Sequence, residues 1–150
     1  MSTRADSDPE ALARACAEAM EAGDRASAGL GMVLESVGPG RAVMRMTVTP
    51  AMVNGHGICH GGFIFTLADS AFAYACNSHG ARAVAQHCAI TFLRPGRQGE
   101  ILRAEAVERV VAGRSGITDV RVTGAGGEVV AELRGHSRLT GGHFFTREEA

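Results

Sequence analysis

The chain has 150 residues, with 15 basic and 16 acidic side chains and a formal net charge of −1. That length allows one domain able to bury roughly two-thirds of its unfolded surface, and the balanced charge excludes the basic footprint of a nucleic-acid binder or an electrostatic membrane binder. No stretch approaches the roughly 18 apolar residues of a membrane span, and the polar start MSTRADSDPE has no apolar leader region.

In chain order, residues 1–8 are expected to be disordered. Pro9 suits the first position of a helix running to about Ala22, with Asp8 as its N-cap. Leu12, Ala15, Cys16, Ala19 and Met20 fall at helical spacing, and Gly23-Asp24 stops the helix. Leu30–Val37 and Arg41–Thr49 read as two strands of a hairpin joined at Gly38-Pro39-Gly40, with Ala42, Met44, Met46 and Val48 on one face. Pro50–Cys59 is then an irregular loop. It delivers the chain to His60–Asn77, HGGFIFTLADSAFAYACN, which is apolar over most of a helical circumference and so must be buried.

Four more strands follow: Ala83–Leu93, Ile101–Val111, Arg114–Thr123 and Val129–Leu139. Short connections between consecutive strands imply an antiparallel sheet, and strands grouped around one long helix imply an α+β architecture. The tail Thr140–Ala150 is expected to fray. Cys16, Cys59, Cys76 and Cys88 show no CxxC spacing; without a leader they are expected as free thiols in a reducing cytoplasm.

Asp69 sits half-way along the buried helix and is the one acidic residue between Glu35 and Glu100. A buried carboxylate needs a partner or a function. At the helix start, Gly61 and Gly62 present amides with no intrahelical acceptor, at the positive end of the dipole, where a developing oxyanion would be stabilised. Eight residues separate Gly61 from Asp69, about 12 Å along a helix, whereas reacting atoms must approach to about 3–3.5 Å. If both serve one site, Asp69 must come from a second copy, with two helices antiparallel about a two-fold axis. His56 and His60 flank Gly57 in a loop without an HExxH pattern, so no metal is expected; neither a Rossmann nor a Walker motif is present. His79, His87, His136 and His143 read as surface or sheet residues.

The run Met52–Gly80 resembles the phenylacetic-acid-degradation group of hotdog-fold acyl-CoA thioesterases. The likeness rests on Asn54-Gly55-His56, His60-Gly61-Gly62, Leu67-Ala68-Asp69 and Ala75-Cys76-Asn77-Ser78, followed by Ile90–Gly96 and Gly135-His136-Ser137. It covers nearly all of residues 25–142. The resemblance implies a hotdog fold, a central helix wrapped by a curved antiparallel sheet, occupying 27–141. An N-terminal segment, 1–26, would precede it and a flexible tail, 142–150, would follow.

It also implies a homo-oligomer, a tetramer built as a dimer of dimers with composite sites, acting on acyl-CoA without a further cofactor. In that likeness Gly61 polarises the thioester carbonyl and Asp69 of the partner is nucleophile or general base, while Asn54 and His60 position the reactants. Gln86 or His87 would supply a second polar contact. Gly62 and Phe63 would line the substrate site, and the run Phe92–Arg97, with Arg94 and Arg97, together with Gly113, Arg114, Ser115 and Arg138, would meet coenzyme A. The implied substrate is a hydroxylated phenylacetyl-CoA or another aryl acyl-CoA. A hydratase of acyl thioesters and a non-catalytic acyl-CoA sensor are the alternatives on the same fold.

Overall fold

The computed structural model describes residues 8–145; the expectations for 1–7 and 146–150 lie outside the described residues. Helix α1 (Pro9–Glu21) opens as expected, with Asp8 Oδ1 accepting from the Glu10 amide at 3.0 Å. A short helix not foreseen in the sequence, α2 (Arg25–Gly29), occupies part of the run expected to lead into the first strand. Asp24 Oδ1 caps it by accepting from Ser27 N at 3.0 Å, so the break at Gly23-Asp24 also starts a new turn. Strand β1 therefore begins only at Val33 and runs to Gly38, and β2 spans Arg41–Thr47. The loop beyond holds one 3-10 turn, Pro50–Met52.

The central helix, α3, is Gly61–Cys76, with His60 and Asn77 as its caps. After it come β3 (Ala81–Phe92), β4 (Ile101–Ala112), β5 (Ser115–Thr123) and β6 (Val129–His143). The end of β6 corrects the expected fray at Thr140. Its last residues continue the ladder with β3, Ala81 opposite His143, and Phe144 N donates to Gly80 O at 2.9 Å. Backbone pairing to a neighbouring strand overrides the local Gly-Gly signal there.

All six strands form one antiparallel sheet in the order β1-β2-β4-β5-β6-β3. The alternation seen in the sequence sets its inner face: Ala42, Met44 and Met46 from β2, Leu102, Ala104 and Ala106 from β4, and Thr118, Val120 and Val122 from β5 are all buried. They close on Leu67, Ala68, Ala71, Phe72 and Ala75 of α3. Each large side chain removed from water here contributes about 1.5–3 kcal/mol. Gly135 of β6 is required by this contact, because a Cβ there would stand 2.7 Å from the Phe72 ring.

The sheet is unevenly covered. Helix α3 packs chiefly on β2, β4 and β5, and much less on β6 and β3. β3 is the last strand in the order, so one of its edges has no neighbour, and Val84 and Phe92 on it are 53% and 50% exposed. A long apolar edge with an open ladder is a template for another strand. The opposite edge strand, β1, is shorter and has α1 against it.

Candidate active site

The site is built at the start of α3. The chain enters through a loop pinned by backbone bonds: His60 N donates to Met52 O, and Cys59 N to Gly96 O, each at 2.8 Å. Asn54 organises the turn, its Oδ1 accepting from His56 N at 3.0 Å and Ile58 N at 3.4 Å. Its Nδ2 donors are left for another acceptor. His60 Nδ1 accepts from the Gly62 amide at 2.9 Å, which places the proton of the neutral imidazole on Nε2. The ring meets Phe63 edge to face, with centroids 6.2 Å apart.

This capping bond separates the two glycines. The Gly62 N–H is spent on His60, so the expectation that both amides face an oxyanion is corrected. Of these two amides, only the Gly61 N–H has no acceptor among the described residues. A Cβ on Gly61 would lie 2.9 Å from Phe92 Cζ, so only glycine lets that ring sit over the helix start. Asn54, Ile58, Cys59, Gly61, Ile64, Phe92, Leu93, Arg94 and Pro95 line a cleft of about 450 Å³ at this point. Phe92 and Leu93, from the run expected to meet coenzyme A, line this cleft beside Gly61. Their signal was present in the apolar pair before Arg94-Pro95-Gly96, which reads equally well as a strand end.

Asp69 lies two turns farther along α3, half-buried. Burial pushes its pKa above the ordinary carboxylate range, with no hydrogen bond or cation to oppose the shift. The chain thus holds an unpaired donor at Gly61 and an unpaired base at Asp69, about 12 Å apart on one rigid helix.

The remaining candidates divide. Gln86 is the inserted residue of a β-bulge: Ala85 faces Ser137, and His87 faces His136, with no partner for Gln86 between them. Bulges re-aim a side chain locally, and this one sits exposed on the open edge. Arg94 does not extend a free cation toward a ligand. Its guanidinium is committed to Glu100, at 3.1 and 2.7 Å, with Glu128 at 3.6 Å. The hydrogen bond from Arg94 holds the Glu100 carboxyl below its usual range. Arg97 stays exposed, offering only its amide to Glu100 Oε1 at 3.1 Å.

Arg114 and Ser115 are not near Gly61 within one chain. They line a second cavity of about 340 Å³ at the other end of α3, with Cys76, Ala83, Val111, Ser137 and Leu139; Gly113 makes the turn beside it with φ +61°. Arg138 is exposed on β6, opposite Val84 and Ser115. Among the described residues no group of three or more His, Cys, Asp or Glu side chains is placed to hold a metal ion. No described helix is long and apolar enough to cross a membrane.

Comparison with known proteins gives the family. Residues 56–131 match the thioesterase superfamily model. The Escherichia coli acyl-coenzyme A thioesterase PaaI is 47% identical over 126 residues, covering 84% of this chain and 90% of that protein. The solved structure of the E. coli PaaI protein from the phenylacetic acid degradation operon superposes with a TM-score of 0.89 at 44% identity, covering 91% of this chain and 99% of that one. A Streptococcus mutans protein solved bound to acetyl CoA superposes with a TM-score of 0.72 at 27% identity, covering 75% and 90%. With the matched span taking in the helix start, Asp69 and most of the sheet, this chain belongs to the thioesterase superfamily and is a thioester hydrolase of the hotdog fold.

Proposed function

We infer that the protein hydrolyses acyl-CoA thioesters at a composite site made by Gly61, Asn54 and His60 of one copy and Asp69 of a second. The observation that carries this reading is the pair of unmatched groups on α3: a bare Gly61 amide and a half-buried Asp69 without a partner, too far apart to act together in one chain. Two copies joined along the open edge of β3 bring two α3 helices together antiparallel, and each Asp69 then faces the other copy's Gly61. The four cysteines of the chain are free, which suits a cytoplasmic protein. A tetramer then follows from association of two such dimers.

In this site the thioester carbonyl oxygen accepts from the Gly61 N–H. Asp69 either takes a proton from water, whose oxygen attacks the carbonyl carbon, or attacks that carbon itself to form an anhydride that water then opens. The charge that develops on the carbonyl oxygen is stabilised at the helix N-terminus. Collapse of the tetrahedral intermediate breaks the C–S bond, and the departing thiolate takes up a proton as free CoA. Asn54 Nδ2 and His60 Nε2–H supply donors beside the same cleft. No cofactor enters these steps. In the antiparallel arrangement the second copy's cavity at Cys76 lies beside the first copy's cleft. That places Arg114 and Ser115, together with Arg97, where phosphates of coenzyme A need cations and hydroxyls.

The substrate we favour is a hydroxylated phenylacetyl-CoA, supported by the operon named for the E. coli relative. The test is release of free thiol from phenylacetyl-, hydroxyphenylacetyl-, benzoyl- and fatty acyl-CoA, with Asp69→Ala alongside. Turnover of the hydroxyphenylacetyl ester that disappears in the variant supports both reaction and substrate. A fatty acyl ester turned over faster overturns the substrate. Binding without release from any ester overturns hydrolysis in favour of a non-catalytic acyl-CoA sensor.

A further inference from the structure

The cavity at the C-terminal end of α3 holds polar groups that no hydrolytic step uses. Its volume is about 340 Å³, and Cys76, Ala83, Val111 and Leu139 make much of its wall apolar. Ser137 of β6 lines it at 5% exposure, and Ser137 Oγ has no hydrogen-bond partner among the described residues. Glu108 of β4 lines it too. Its side chain is 9% exposed, and Oε1 meets His79 Nε2 at 2.7 Å, while Oε2 has no partner among the described residues. Both free oxygens border one point. A Cβ added to Gly116 would stand 2.7 Å from Ser137 Oγ and 3.7 Å from Glu108 Oε2, so glycine there keeps the point open.

The chemistry of that point is selective. Ser137 Oγ–H can donate, whereas a carboxylate oxygen only accepts. A ligand hydroxyl answers both from a single atom, accepting from Ser137 and donating to Glu108. A phosphate is repelled by the carboxylate. The apolar wall suits alkyl carbon beside that hydroxyl.

Distance selects which hydroxyl. Cys76 lies seven residues after Asp69, which is about 10 Å along α3 and within about 20° of the same face. The pantetheine arm of coenzyme A carries a hydroxyl, next to a carbon bearing two methyl groups, about 11 Å from its sulfur when extended. The ring hydroxyl of a hydroxyphenylacetyl group ends only about 7 Å from the thioester carbon. The arm therefore reaches the level of Cys76, and the acyl group falls short of it. From Glu108, β4 runs on to Ala112 and the turn that holds Arg114, so the phosphate end of the arm has a cation ahead of it.

We propose that Ser137 and Glu108 hold the hydroxyl of the pantetheine arm, with Gly116 leaving room for it, in the copy that supplies Asp69. This contact rests on the composite site described above, and it selects the leaving group rather than the acyl group. His79 positions the Glu108 carboxylate and does not touch the arm.

The experiment is thiol release from phenylacetyl and hydroxyphenylacetyl esters of pantetheine and of N-acetylcysteamine, which lacks the hydroxyl-bearing end. In Ser137→Ala the kcat/KM ratio of the pantetheine ester to the N-acetylcysteamine ester should fall about 2- to 10-fold, the loss of one hydrogen bond. The fall should be equal for both acyl groups. Gly116→Ala, which fills the point, should lower the ratio further; Ser137→Ala decides the matter if Gly116→Ala does not fold. CoA titrated calorimetrically into Ser137→Ala should bind more weakly by a similar factor. A ratio that stays at the wild-type value overturns the contact. So does a loss confined to the hydroxyphenylacetyl esters of either thiol, which gives the point to the acyl hydroxyl. Failure of the catalytic reading looks different: Asp69→Ala would keep its turnover, while the CoA titration would still report on Ser137.

Discussion

The two ends of α3 are built on opposite terms. At the C-terminal end every described polar side chain is paired. Asn77, 5% exposed, donates from Nδ2 to Ala73 O at 2.9 Å and Ala83 O at 3.0 Å, and accepts from Ala83 N at 2.8 Å. Ser78, 1% exposed, donates to Ala75 O at 2.7 Å and accepts from Gly40 N at 2.8 Å. At the N-terminal end and mid-helix, Gly61 N–H, Asn54 Nδ2 and Asp69 have no partner among the described residues. One end joins the helix to the sheet and locks the fold; the other leaves its hydrogen-bonding capacity unspent, which is what the proposed composite site requires.

If this contrast is right, substitutions at the two ends should separate turnover from stability. The largest effect is expected at Asp69. Asp69→Asn should lower turnover about 100- to 10,000-fold, the range for removing a general base, while thermal unfolding shows no loss of stability. Because burial raises the folded pKa of Asp69, its ionised form disfavours folding. Stability is lost as pH rises from the unfolded carboxylate value through the folded one. Asp69→Asn should abolish that slope, and a variant that melts well below the wild type would break the comparison.

Next in size is Asn77→Ala, which removes the side chain's bonds to the backbone of Ala73 and Ala83 and leaves buried backbone groups unsatisfied. It should cost about 3 kcal/mol in denaturant unfolding, yet leave turnover per folded molecule unchanged. Ser78→Ala should behave in the same way at about 1–2 kcal/mol, since it strands the buried Gly40 amide. Loss of turnover in either variant that exceeds its loss of folded protein would show that the C-terminal end also serves catalysis.

The smallest effect is expected at Asp24, which ties the N-terminal segment to α3 by capping α2 and accepting from Tyr74 Oη at 3.0 Å. Burial raises its pKa, but the bonds from Ser27 and Tyr74 outweigh it, and the net shift is downward. The contribution is present above the unfolded carboxylate pKa and lost as pH falls through the folded one. Asp24→Ala should cost about 1 kcal/mol at neutral pH and nothing in strong acid, as read by urea midpoints across pH.

Much of this molecule was legible from local pattern. The run of apolar residues after Gly62 meant a buried helix, and the alternation Ala42-Met44-Met46-Val48 meant an inward strand face, because both periods follow from backbone geometry alone. Asp69 stood out for its charge in that apolar setting, and its distance from Gly61 follows from helix rise. Arg94 and Gly62 were less legible. Whether a guanidinium faces a ligand or Glu100, and whether an amide faces an oxyanion or His60 Nδ1, depends on the side chain that arrives beside it.

By itself, then, the sequence determined the long buried helix, the run of strands, their inward faces and the spacing between a glycine-bearing helix start and one carboxylate, all set by position along the chain. Only the tertiary structure decided that β3 is the open edge, that β6 continues to His143, that Gln86 falls in a bulge and that His87 meets His136. These are relations between strands distant in sequence. They are fixed by the order in which the sheet assembles around α3, which no local period encodes.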